Sequence, residues 1–243
     1  MELETTNSAT NCESPWVLLP GFMLDETLWD EVVSLCGHRR QIVRPRLATV
    51  ETIEDIADDV ARRAPDRFVL VGFSLGGYVA RKLAERYPER VEALVLIASS
   101  LRDDTPEQAQ AKRNAVATLT ADSFQGLSRS SIARSVHQNR RGDDALIERI
   151  RSMGRRLGYA ALASQSNLSR TINSQPALEC PTLVIAAAAD DLRSASETTE
   201  LSAAIPGSTL VTIPDSGHML PIEQPVALVE AIEDWLCNRK NGV

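Results

Sequence analysis

At 243 residues, 43% hydrophobic and 24% charged, the chain is long enough for one domain with a substantial core, and its composition is that of a soluble protein. A net charge of −7 argues against nucleic acid as a partner, and no apolar run approaches the roughly 20 residues needed to span a bilayer. The polar, acidic start MELETTNSATNCESP lacks the basic and apolar regions of a secretory signal, so a cytoplasmic location and a disordered stretch over 1–14 are expected.

In chain order, β-branched runs alternate with amphipathic stretches, which predicts a parallel sheet covered by helices. Strands are expected at WVLL (16–19), QIVR (41–44), RFVLVGF (67–73), VEALVLIA (91–98), TLVIAAA (182–188) and STLVTI (208–213). Several are apolar on both faces, as strands inside a parallel sheet should be. Helices are expected near 27–35, 52–63, 75–86, 194–204 and 225–238. Thr52, with Asp55 three residues on, reads as a cap, while Pro88 and Pro206 stand where helices should stop.

Residues 101–178 break the rhythm, being rich in Arg, Ala, Ser and Leu with no convincing strand. They read as a helical cap inserted between core segments 15–100 and 179–243. That interval holds twelve Lys and Arg against seven Asp and Glu, a local charge of +5, whereas the remainder (14 against 26) carries −12. Solvated helix faces would account for this, as would a surface for an acidic partner. The four cysteines, at 12, 36, 180 and 237, show neither zinc-ligand spacing nor a disulfide framework, and read as buried reduced thiols.

Gly72-Phe73-Ser74-Leu75-Gly76 matches GxSxG, with a predicted strand running into it and a helix following at once. Gly72 and Gly76 would leave room for a sharp turn that lifts the Ser74 hydroxyl clear of the sheet. A serine hydroxyl needs a base, and only three histidines exist. His38 lies in a charged connection and His137 in the cap, whereas His218 follows the last predicted strand, in PDSGHML. His218 is therefore the expected base. An acid must orient it, and Asp190 and Asp191 both follow the strand TLVIAAAA. An oxyanion hole would draw on the backbone N–H of Leu75 and on one from Gly21-Phe22, in the loop after the first strand.

With PGFM, GFSLGGYVA, CPTLVIAAAADDLRS and PDSGHMLPIEQP in place, the chain resembles the α/β-hydrolase superfamily from about residue 15 to 238. It looks like the compact, helical-cap group of carboxylesterases, enol-lactone hydrolases, C–C bond hydrolases and pimeloyl-carrier-protein methyl ester esterases. The resemblance implies about six mostly parallel strands and a Ser74–Asp190–His218 triad, with Asp190 matching the D of a G-x-x-D segment and Asp191 a bystander. It also implies an oxyanion donor at Phe22, with Met23 as rival because Pro20-Gly21 stands where many relatives carry His-Gly. Hydrolysis of an ester, lactone or thioester through an acyl-enzyme needs no metal or organic cofactor. The same trio would also serve a C–C hydrolase, a lyase or a cofactor-free perhydrolase, and the fold alone would serve a ligand receptor.

Around these positions Met23, Phe73, Met219 and Leu220, with Phe22, suggest an apolar acyl site for a small-molecule ester. Arg134, Arg140, Arg141, Arg151, Arg155 and Arg156 would present a basic cap to a carboxylate or to an acidic acyl-carrier protein.

Overall fold

The computed structural model of the chain describes residues 14–47, 52–170 and 178–240. The expected segment 1–14 therefore lies, but for Ser14, outside the described residues.

Six strands form one sheet among these residues: β1 (Trp16–Leu19), β2 (Ile42–Val43), β3 (Phe68–Phe73), β4 (Val91–Ile97), β5 (Thr182–Ala187) and β6 (Thr209–Ile213). Their order is β2-β1-β3-β4-β5-β6 and every pairing is parallel. Alternation sorts the apolar side chains to two faces. Trp16, Leu18, Val69, Val71 and Phe73 join one buried cluster, whereas Val17, Leu19, Phe68 and Leu70 join the other. Both faces are thus dry, which is why these strands read as continuous apolar runs.

Helices α1 (Asp30–Cys36), α8 (Leu220–Glu223) and α9 (Pro225–Lys240) cover the first face. On the second lie α2 (Ile53–Arg63), α3 (Leu75–Arg86) and α7 (Ala195–Ala203). Thr52 caps α2, its hydroxyl accepting from the Asp55 N–H at 3.1 Å. The stretch read as one helix from 27 to 35 instead starts as a 3-10 turn, Glu26–Trp29, and continues as α1. The Asp25 carboxylate holds that turn by accepting from the Thr27 N–H and hydroxyl. β2 is shorter than the expected 41–44, because it sits at the sheet edge with a partner on one side only. β6, at the opposite edge, exposes Leu210.

Between β4 and β5 the described residues are all helix, turn or loop: α4 (Pro106–Ala117), α5 (Arg129–Ser135) and α6 (Asp144–Asn167). α6 breaks at Gly158, whose φ of 81° and ψ of 177° are not helical. Two contacts tie it to the rest of the chain. Gln165 accepts from the Met23 N–H at 2.8 Å and donates to the Leu47 carbonyl at 2.8 Å. Arg156 reaches the fully buried Asp25 carboxylate at 2.6 Å. The cysteines depart from expectation: Cys36 is buried and Cys180 half-buried, but Cys237 is exposed on the outer part of α9; Cys12 lies outside the described residues. No helix among the described residues is long and apolar enough to cross a membrane.

Candidate active site

The strand order turns back between β1 and β3, the crevice position where ligands bind open α/β sheets. Ser74 stands there, between the end of β3 and the start of α3, at φ 51° and ψ −112°. A non-glycine residue in this region costs on the order of 1–3 kcal/mol, and two glycines make the turn possible. A Cβ on Gly72 would lie 2.5 Å from the Gly76 carbonyl oxygen, and one on Gly76 would lie 2.5 Å from that of Leu19. The Ser74 backbone is held from below, its N–H donating to Ile97 and its carbonyl accepting from the Ser99 hydroxyl at 3.1 Å.

Asp190 and His218 arrive from the carboxyl ends of β5 and β6. The two loops are stitched together by the Ala189 N–H, which donates to the Ser216 carbonyl at 3.0 Å. One Asp190 oxygen accepts from the N–H groups of Leu192 and Arg193, at 2.7 and 2.9 Å. The other faces His218 Nδ1 at 2.7 Å, and His218 Nε2 faces the Ser74 Oγ at 3.0 Å. An ionised carboxylate only accepts, so Nδ1 carries the imidazole proton and Nε2 is left to accept from the serine hydroxyl. Asp190 and His218 side chains are 2% and 8% exposed, so the chain of hydrogen bonds is shielded from water. The Phe73 ring, centroid 5.1 Å from that of His218, packs against the imidazole. Asp191 points elsewhere, into an exposed ion pair with Arg141.

Leu75 is the first residue of α3, where an N–H has no intrahelical acceptor. The loop after β1 abuts that helix end, since a Cβ on Gly76 would also lie 2.6 Å from the Pro20 carbonyl oxygen. Phe22 follows in this loop, and no acceptor among the described residues pairs with its N–H. Met23, the rival donor, already gives its N–H to Gln165. Two unengaged N–H groups therefore border the crevice beside Ser74.

Comparison with known proteins matches residues 16–231 to the model of the alpha/beta hydrolase family. The chain belongs to the alpha/beta hydrolase family. A pimeloyl-[acyl-carrier protein] methyl ester esterase of Nitrosomonas europaea is 33% identical over 108 residues, a stretch covering 41% of this chain and only 41% of that protein. The malate-bound esterase from Thermogutta terrifontis superposes with a TM-score of 0.84 at 29% identity, covering 93% of this chain and 90% of that one. The enol-lactonase from Burkholderia xenovorans LB400 shares the fold at 20% identity, with a TM-score of 0.80 and 92% of both chains covered.

In this hydrolase a cleft of about 360 Å³ opens above Ser74 and His218. Of the apolar residues expected there, Phe22, Phe73 and Met219 line it. Met23 and Leu220 do not: Met23 is fully buried against Phe124, Ala161 and Leu162, and Leu220 is fully buried in the core below the sheet face. Leu24, Leu127, Ile132 and Ile150 complete the apolar wall.

His137 half-buries as the cap of a 3-10 turn, its Nδ1 accepting from Asn139, while His38 is exposed. Of the six arginines expected to form a basic face, five are engaged: Arg140 with Asp143, Arg141 with Asp191, Arg155 with Glu148, Arg156 with Asp25, and Arg151 with the Gln125 carbonyl. Only Arg134 both lines the cleft and lacks an ion pair among the described residues.

Sequence reasoning missed Glu223. Its two oxygens accept from the N–H of Gly217 at 2.9 Å and of His137 at 2.6 Å, clasping the His218 loop to the turn after α5. Burial pushes its carboxyl up, partly offset by those two N–H groups. Met219 adds a second tie, donating to the Ser135 carbonyl at 3.0 Å. No local pattern could reveal the Glu223–His137 or Met219–Ser135 contact, because each joins positions more than 80 residues apart. Lys112, Arg170 and Arg193 also line the cleft unannounced.

Proposed function

We propose that this hydrolase cleaves a carboxylic ester through an acyl-enzyme formed on Ser74. The observation that carries this reading is the continuous hydrogen-bonded path from Asp190 through both nitrogens of His218 to the Ser74 oxygen. The esterase named from Thermogutta terrifontis supports the ester as substrate class.

In this mechanism Ser74 Oγ attacks the ester carbonyl carbon while its proton passes to His218 Nε2. The resulting imidazolium is stabilised by the Asp190 carboxylate at Nδ1. Charge gathers on the former carbonyl oxygen, where the N–H groups of Leu75 and Phe22 are placed to receive it. Each such donor typically contributes about 2.7–4 kcal/mol to the transition state. Collapse of this intermediate expels the alcohol with the proton from His218. Water then attacks the acyl-serine, again giving its proton to His218, and the acid leaves with the serine restored. Helices α4–α6 act as the cap that walls the acyl site, with Phe22, Phe73 and Met219 in contact with a small-molecule substrate.

A panel of p-nitrophenyl esters, run beside labelling with a serine-reactive fluorophosphonate, tests the reading. Turnover and labelling are both expected, and both should vanish in Ser74→Ala. Folded wild-type protein that neither labels nor turns over any ester would overturn it.

A further inference from the structure

The cleft above Ser74 carries charge that hydrolysis of a neutral ester does not require. Lys112 on α4, Arg134 on α5, Arg170 just beyond α6 and Arg193 before α7 all line it, and Asp104 is the one carboxylate among the lining residues. Asp104 is shared: one oxygen accepts from Arg170 Nη1 at 3.1 Å, the other from the Lys112 ammonium. Arg193 meets Glu197 on the following helix at 3.4 Å, and Asp103 accepts from the backbone N–H groups of Asp104 at 2.8 Å and Arg170 at 3.3 Å. Arg134 has no ion pair among the described residues. Cations thus exceed the carboxylates they face around one small cleft.

The cations are also incompletely satisfied. Arg170 is 5% exposed, and among the described residues its Nε lies buried without a hydrogen-bond acceptor, as does the Nε of Arg193. A buried cation short of acceptors is costly, and burial pushes the pKa values of both Arg170 and Lys112 down. An anion arriving in the cleft would relieve it. Resting on the ester-hydrolase reading above, we propose that the substrate is a half-ester of a dicarboxylic acid, its free carboxylate seated among Lys112, Arg170 and Arg193 while its ester lies at Ser74. The wall of Leu24, Leu127, Ile132 and Ile150 accommodates the methylene chain between the two ends. A guanidinium matches a carboxylate in plane and spacing.

The test uses full-length Ser74→Ala, which cannot turn over, and calorimetric titration with monomethyl and dimethyl esters of the C4 to C7 dicarboxylic acids. At the preferred length the half-ester is expected to bind at least tenfold more tightly than its diester. That ratio should fall below threefold when Lys112→Met or Arg193→Met is added, and return with Lys112→Arg. Equal affinity of half-esters and diesters at every length would overturn the proposal, as would tighter binding of a chain ending in phosphate. The two readings fail separately. Wild-type enzyme that turns over diesters and half-esters equally removes the anion site and leaves the esterase; tight half-ester binding without turnover or fluorophosphonate labelling does the reverse.

Discussion

In the proposed mechanism Ser74, His218 and Asp190 would do unequal work at the level of single atoms, and substitutions should separate them. Ser74→Ala would remove the proposed nucleophile and is expected to lower kcat by on the order of 10⁶. Asp190→Asn keeps the shape but offers Nδ1 an ambiguous partner and favours the wrong tautomer, a loss of about 10⁴. Asp191→Asn, whose carboxylate only meets Arg141 at the surface, should stay within twofold of wild type in the same ester assay. A damaging Asp191→Asn would reassign the acid. The elbow itself tolerates no side chain at Gly76, where a Cβ would meet the Leu19 and Pro20 carbonyls. Gly76→Ala should fail to give a cooperative thermal transition at the wild-type temperature, because backbone, not a flexible side chain, must move.

Among elements, two polar side chains fasten α4–α6 and the His218 loop to the sheet. Gln165 alone satisfies the Met23 N–H and reaches the Leu47 carbonyl from within a buried setting. Gln165→Leu strands both groups, each worth about 1–3 kcal/mol, so a lower denaturation midpoint is expected. Because Met23 adjoins Phe22, kcat should fall as well, with the loss larger than any change in KM. Glu223 plays the matching part on the other side of the cleft. Glu223→Gln keeps one acceptor and turns an amide donor toward the second N–H, loosening His218 from below. Slower fluorophosphonate labelling of Ser74 in a variant that still melts cooperatively would report that loosening; an unchanged rate would show the clasp to be idle.

Across the whole molecule, charge controls how stability responds to acid. Burial pushes the Asp25 carboxyl up, but hydrogen bonds from Arg156 and Thr27 outweigh it and hold its pKa below the ordinary 3.8. A carboxyl depressed in the folded state adds stability above its unfolded pKa and loses it as pH falls through the folded value. Glu31, held down chiefly by Arg149, follows the same sign near the ordinary 4.5. Denaturant melts from pH 7 to pH 2 should therefore show stability declining below about pH 4. Asp25→Asn is expected to be less stable at pH 7, with the gap closing as pH drops through that window. Glu223 has the opposite sign: its raised pKa means that stability falls as pH rises from the ordinary 4.5 through its folded value.

The amino-acid order alone was enough for whatever rests on short-range pattern. Apolar runs with two buried faces specify β1, β3, β4 and β5 to within about a residue, and the glycines around Ser74 announce a turn that only they permit. Asp190 and His218 were legible because each follows a strand in a sheet whose ligands must gather at one edge. What only the folded chain decided is pairing at long range. Gln165 with Met23, Glu223 with His137, and Asp104 with Arg170 join residues from distant segments, and nothing in local periodicity encodes such partners. The same holds for Met23 and Leu220, turned into the core, and for the arginines expected to form a basic face, mostly spent on neighbouring acceptors. Periodicity says which side chains leave water; only packing says what they leave it for.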